Sequence, residues 1–274
     1  VAEKSPAGPQ LSNAGLHQLH QTQVLDETGE VRDVSVTGER PLTIYLDKRE
    51  IVTLMTLGSA PEWLTLGYLR NQGLVDNIED IVSVQVDWDV DAVAVTTSGN
   101  TKDLDQLMSR RLVTSGCGQG TMFGHVMDSL ETLKLQCPPF SAETIYSVLE
   151  GLREYNEVYK QAGAVHGCAL CSEEHIDIFI EDVGRHNAVD AISGWMWLNN
   201  VSGVNKVFYT TGRLTSEMVI KVAQMQVPLL LSRSGVTEMG LRLAKQMGIG
   251  MVARAKGRHF LVYTGQAQFQ AEKK

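Results

Sequence analysis

Leu42, Ile44 and Leu46 alternate with Thr43 and Tyr45. The turn-type run Asp47-Lys48-Arg49-Glu50 follows, and Ile51 to Met55 resumes the apolar pattern. This arrangement predicts a β-hairpin. Ser59-Ala-Pro-Glu62 has the spacing of a capping box with proline in the first turn, and predicts a helix through Trp63, Leu64, Leu66 and Leu69 that Gly73 closes. Ile81 to Thr97 reads as strand, with Val82, Val84, Val86 and Trp88 on one face and a turn near Asp89–Asp91. A short helix is expected around Leu104–Leu112. The next stretch, Thr114-Ser-Gly-Cys-Gly-Gln-Gly120, is too rich in glycine for the interior of an element and reads as an exposed, flexible loop.

From Ser141 the period changes. Ile145, Val148, Leu149, Leu152 and Tyr155 keep helical spacing up to Gly163, and strands follow near Ala164–Leu170 and Ile176–Ile180. Helices over His186–Leu198, Thr215–Gln226 and Thr237–Met247 alternate with strands over Lys206–Thr210, Val227–Ser232, Ile249–Ala253 and His259–Tyr263. Such alternation predicts an α/β class with a largely parallel or mixed sheet covered on both faces. The resulting division is a polar tail or loosely docked arm at 1–30, a small α+β domain at 31–136 ending in the cysteine loop, and an α/β domain at 137–274.

Composition narrows the function classes. The 274 residues are 43 % hydrophobic and 20 % charged, a globular balance. A net charge of −8 argues against a broad basic face for nucleic acid, but not against a local basic pocket. No apolar run is long enough to span a bilayer, and the opening residues lack the apolar core of a secretory signal. Four cysteines are too few for a disulfide scaffold of this size. A cytoplasmic protein without membrane or nucleic-acid partners is expected.

Three strand-to-helix loops share a composition: Glu181-Asp-Val-Gly-Arg-His-Asn187, Thr211-Gly-Arg-Leu-Thr-Ser216 and Ser232-Arg-Ser-Gly-Val-Thr237. Each contains a glycine, an arginine and a hydroxyl or amide side chain. In an open α/β sheet such loops converge on one edge, where helix termini and forked arginines favour an anion. Neither a Walker loop nor G-x-G-x-x-G is present, which excludes an ordinary ATPase or dinucleotide dehydrogenase. One such loop alone would read as a helix cap with a solvated arginine; three alike favour an anionic ligand. Glu181, Asp182 and His186 read equally as acid, base or ligands and as capping groups around a helix start.

The cysteines divide. Cys117 stands between glycines, where a mobile loop exposes a thiol that backbone N–H groups can activate; a small buried cysteine is the alternative. Cys168-Ala-Leu-Cys171, flanked by His166 and His175, has zinc or redox spacing, and His166-Gly-Cys168 resembles part of a zinc deaminase signature. In a strand, however, the odd spacing turns the two thiols to opposite faces, and the deaminase H-x-E and P-C-x-x-C pieces are absent. No bound metal is expected.

Gly38-Glu-Arg-Pro-Leu-Thr-Ile-Tyr45, Thr56-Leu-Gly58, Leu66-Gly-Tyr-Leu69, Glu181-Asp-Val-Gly-Arg-His-Asn-Ala188, Thr211-Gly-Arg-Leu-Thr-Ser-Glu-Met218 and Val262-Tyr-Thr264 together resemble the formate dehydrogenase accessory family FdhD. The resemblance covers nearly everything after residue 30. It implies a cytidine-deaminase-like three-layer α/β domain with a smaller N-terminal α+β part, as a homodimer. The implied activity is that of a sulfurtransferase, or sulfur carrier. Persulfide sulfur passes from a cysteine desulfurase to a transiently bound molybdenum (or tungsten) bis-guanine-dinucleotide cofactor destined for formate dehydrogenase.

By this resemblance Cys117 matches the persulfide cysteine of the family's loop C-x-x-C, whose second cysteine is Gly120 here. The family's C-terminal cofactor segment falls on Val252, Ala253, Arg254, Ala255, Lys256 and Gly257. The other expected cofactor contacts are Gly184, Arg185, Gly212, Arg213, Ser232, Arg233 and Gly235. A chaperone that binds the same cofactor without moving sulfur, and a zinc hydrolase or deaminase, are the competing readings.

Overall fold

The computed structural model describes residues 8–99, 133–172 and 175–271, together with the backbone of 111–113 and 121–123. The chain begins with β1 (Gln10–Leu11) and an antiparallel hairpin of β2 (Leu19–Leu25) and β3 (Val31–Thr37). It continues with β4 (Arg40–Leu46), β5 (Arg49–Thr56), α1 (Pro61–Asn71), β6 (Ile81–Asp87) and β7 (Ala92–Thr97). Five of these strands form one sheet in the order β1-β6-β7-β4-β5. The expected hairpin is β4–β5, closed by Asp47 and Lys48 at φ 46° and 72°. Two successive left-handed residues match the twist of the paired strands.

Within the segment read from sequence as a tail or loosely docked arm, Gln10–Leu11 and Leu19–Leu25 are strands. β1 lies parallel to β6, and the Trp88 indole N–H donates to the Ala14 carbonyl at 2.6 Å. The buried Glu62 carboxylate accepts from Ser12 Oγ at 2.6 Å and from the Ala14 N–H at 2.7 Å. Glu62 therefore holds the N-terminal arm instead of completing a capping box, and α1 starts at Ala60 with no side-chain cap. The expected apolar face of β6 also changes, because a register shift between Ile81 and Ser83 buries Ile81 and leaves Val82 50 % exposed.

Of the expected 104–112 helix, residues 104–110 lie outside the described residues. Arg111–Val113 is a strand, β8, antiparallel to β9 (Thr121–Phe123). The second half runs through β10 (Phe140–Ser141), α2 (Ala142–Gly151), a 3-10 turn at Leu152–Glu154 and α3 (Glu157–Ala162). The helix expected up to Gly163 is thus broken into two. Ser141 caps α2 by accepting from the Thr144 N–H, and Gly163 at φ 66° ends α3.

Next come β11 (His166–Cys171), β12 (Ile176–Asp182), α4 (Arg185–Leu198), β13 (Val207–Thr210) and α5 (Ser216–Gln224). β14 (Leu229–Ser232), α6 (Glu238–Met247), β15 (Gly250–Lys256), β16 (His259–Thr264) and β17 (Phe269–Gln270) complete the chain. The second sheet has the order β12-β11-β13-β14-β15-β16, with β13, β14 and β15 parallel and the other neighbours antiparallel.

Alternate residues of this sheet feed two cores. Cys168, Leu170, Phe208 and Leu230 belong to a cluster with α1, α4, α5 and α6 that continues into Leu42, Ile44 and Val84 of the first sheet. Ala169, Cys171, Tyr209 and Leu231 pack on the opposite side with Ile145 and Val148 of α2. α1 and α4 meet at Gly67 and Gly194, where a methyl on the first would overlap the Asp190 carbonyl and a methyl on the second the Trp63 carbonyl. Beside that crossing the buried Lys221 Nζ lies 2.6 Å from Asp190 Oδ2, and Asn71 Nδ2 donates to Asp190 Oδ1 at 2.7 Å. No helix among the described residues is long and apolar enough to cross a membrane.

Candidate functional site

β12, β13, β14 and β15 run in one direction, so their carboxyl ends meet at one edge of the second sheet, where antiparallel β11 begins. His166 stands opposite Asp182, Cys168 opposite Thr210, and Thr210 beside Ser232. The three glycine-arginine loops leave from this edge and are tied together. Ser232 Oγ donates to the Gly212 carbonyl at 2.6 Å and the Leu214 N–H to Gly235 at 3.0 Å. The Arg254 N–H donates to Ser234 at 2.8 Å. Arg254 has φ 55° at a break in the β15–β16 register, and that kink turns the strand end toward the loops.

Gly184, Arg185, Gly212, Arg213, Ser232, Arg233, Gly235 and Arg254 therefore come together. The rest of the expected C-terminal segment is placed differently. Val252, Ala253 and Ala255 are at most 1 % exposed, with side chains in the cores, and Lys256 and Gly257 lie at the β15–β16 turn beyond the loops. Gly212 also has a packing role. A Cβ there would sit 2.6 Å from Arg185 Cδ, so this glycine makes room for a buried arginine. Arg213 and Arg233 are exposed and, among the described residues, have no ion-pair partner. Cys117 lies outside the described residues.

Asp182 is the anchor of the edge. Its carboxylate accepts from Thr56 Oγ1 at 2.5 Å, the Leu57 N–H at 3.2 Å, the Gly184 N–H at 3.0 Å and Asn187 Nδ2 at 2.8 Å. Burial pushes its carboxyl up to about 6 against the pull of those four donors. Glu181 accepts from the Val158 and Tyr159 N–H groups, both at 2.9 Å, and so caps α3. His186 Nε2 has no hydrogen-bond partner among the described residues and lies 3.4 Å from Glu217 Oε2; burial first, then Lys221, lowers the imidazole to about 2. Of the three groups left open by sequence, Asp182 and Glu181 position backbone, and His186 is held neutral.

Two cavities open here. One, of about 370 Å³, is lined by Asn156, Tyr159, His166, Gly167, Thr211, Arg233 and Ser234. The other, of about 380 Å³, lies between the two halves of the chain and is lined by Glu39, Thr53, Met55, His166, Gly184, Arg185, His186 and Asn187. His166 belongs to both. Thr210 and Thr211 were missed as organisers of this edge; the signal was their position as the last strand residue and the one after it.

The thiols separate cleanly. Cys168 Sγ is 3.2 Å from Thr210 Oγ1 and burial pushes it up to about 12, while Cys171 is raised by burial in the other core. Facing opposite cores, they share no ion. Cys137 packs against Gly250 at the start of β15, the opposite edge of the sheet.

These features define a mixed α/β protein with arginine-bearing cavities at the carboxyl edge of its six-stranded sheet. Residues 37–270 match the FdhD/NarQ family, and the chain belongs to that family. It is 30 % identical over 238 residues to the "Sulfur carrier protein FdhD" of Wolinella succinogenes, covering 86 % of this chain and 82 % of that one. The protein of the same description from Bacillus subtilis is 30 % identical over 241 residues, 87 % of this chain and 91 % of the relative. A crystal structure from Desulfotalea psychrophila, provisionally described as a formate dehydrogenase accessory protein, superposes with a TM-score of 0.72 at 28 % identity. That match covers 92 % of this chain and 98 % of the other.

Proposed function

We propose that this chain is a cytoplasmic, homodimeric sulfur carrier, a sulfurtransferase that serves formate dehydrogenase maturation. Its sulfur goes to a molybdenum or tungsten bis-guanine-dinucleotide cofactor, bound transiently as substrate. The cytidine-deaminase-like description of the second sheet, with a smaller N-terminal domain, belongs to the same reading. Relatives described as sulfur carriers support it. The observation that carries it is the convergence of the Gly184–Arg185, Gly212–Arg213 and Ser232–Gly235 segments on one sheet edge, with Arg213 and Arg233 exposed and free of ion-pair partners among the described residues. Exposed guanidinium groups and backbone N–H groups suit a ligand rich in diphosphate.

The loading step is a thiol exchange. The Cys117 thiolate attacks the outer sulfur of a desulfurase persulfide; a Cys117 S–S bond forms, the desulfurase S–S bond breaks, and the desulfurase cysteine leaves as thiolate. No external oxidant is consumed. Intact-protein and peptide mass spectrometry after incubation with a cysteine desulfurase and cysteine should find one added sulfur, about 32 Da, on Cys117. An adduct confined to Cys137, Cys168 or Cys171 would overturn the assignment. Gly120, in place of a second loop cysteine, favours one rival, a cofactor-binding chaperone. Cys117→Ala separates the two, because a chaperone would still support formate dehydrogenase maturation.

A further inference from the structure

Among the described residues, His166 stands in the wall shared by the two cavities. Its Nδ1 is 3.3 Å from Thr211 Oγ1, which already accepts the Gly167 N–H at 3.1 Å. With one lone pair taken by Gly167, the hydroxyl can still donate to a bare Nδ1 or accept from an Nδ1–H, so this contact serves either protonation state of the ring. The charged and titratable groups around the ring come from every neighbouring element. They are Asp182 at the end of β12, Arg185 and His186 on α4, Arg213 after β13, Arg233 after β14, Tyr159 on α3 and Glu39 before β4. Three arginines thus oppose two carboxylates, and one of those carboxylates is occupied by four donors. Burial, Arg185 and Arg213 all hold the imidazole below its ordinary range.

A diphosphate entering either cavity offsets the Arg185 and Arg213 charges, which add to burial in disfavouring the charged ring. Thr211 needs no movement, since its hydroxyl accepts equally well from an Nδ1–H while still accepting from Gly167. The ring then donates from both nitrogens, one to Thr211 and one to the ligand. Resting on the cofactor reading above, we infer that His166 is a ligand-contacting residue whose protonation is coupled to diphosphate binding, with Thr211 as its positioning residue. The site takes up a proton as it fills. Ligand is held more tightly at lower pH and released more readily as pH rises.

The probe is a GDP-sugar, whose diphosphate diester has no proton that titrates near neutrality. Calorimetry on the full chain, in buffers of different ionisation enthalpy at one pH, reads the protons taken up. The expectation is about one proton per ligand, with affinity rising up to about tenfold per pH unit as pH falls between the bound-state and free-state values of His166. His166→Gln keeps a side-chain amide there and should bind with no uptake and a flat pH profile. Imidazole NMR of the unmodified protein supplies the same readout if that variant does not fold. Binding without proton uptake overturns this inference and leaves the cofactor reading standing. Absence of binding at any pH overturns the cofactor reading itself. Uptake that persists in folded His166→Gln assigns the proton to another group and also overturns the inference.

Discussion

The crossing of α1 and α4 and the carboxyl edge of the second sheet both depend on glycines and charges, used in opposite ways. At the crossing, Gly67 and Gly194 let two helix backbones touch, and Lys221 and Asp190 are sealed beside them at 2 % exposure each. At the edge, the glycines lie in loops, and Arg213 and Arg233 face solvent with no ion-pair partner among the described residues. A charge sealed with its partner fixes one arrangement of two halves. A charge left open is available to something that arrives later. The same residue types therefore mark a joint in one place and a candidate ligand site in the other, and burial decides which.

The largest effects should come from the joint. Lys221→Met leaves Asp190 buried without its cation, and breaking a buried pair costs about 3–5 kcal/mol. Denaturant unfolding should show that loss, and most of it should return in Lys221→Met combined with Asp190→Leu, which removes both charges. A Lys221→Met loss below about 1 kcal/mol would mean that the pair does not hold the joint. Gly194→Ala comes next. Alanine gains about 1 kcal/mol of helix propensity over glycine, yet here its methyl overlaps the Trp63 carbonyl, and overpacking costs about 1–3 kcal/mol or more. A lower melting temperature despite the better helix former is the expected outcome; a higher one would show that the helices separate freely.

Legibility followed the same division. The β4–β5 hairpin and the strand–helix alternation after Ser141 were readable, because each rests on local period and turn chemistry. The convergence of the three loops followed from strand direction alone. The joint was not readable. Lys221 looks like an ordinary last-turn lysine of α5, and nothing local says that Asp190 of another helix will meet it. Gly67 and Gly194 look like weak points in helices until the partner backbone is seen. Glu62 satisfied a local capping rule and was taken by Ser12 and Ala14, about fifty positions away in sequence. In β6, one irregular position buries Ile81 and turns Val82 outward. Each miss is a long-range contact overriding a local preference.

The smallest effect on stability, and the one that separates the two regions most sharply, belongs to Arg213 and Arg233. Neither has an ion-pair partner among the described residues, so Arg213→Ala and Arg233→Ala should each change unfolding free energy by no more than about 0.5 kcal/mol. Binding of a guanine nucleotide should tell a different story. Loss of a charge-assisted hydrogen bond costs about 1.5–3 kcal/mol, and for an exposed guanidinium the cost should shrink as salt is added. Titrations of each variant at low and high ionic strength, alongside its melting curve, read both quantities on the same sample. Full affinity in both variants would leave the arginines as solvated helix-start residues. A large stability loss would place them with Lys221, as parts of the frame rather than of the site.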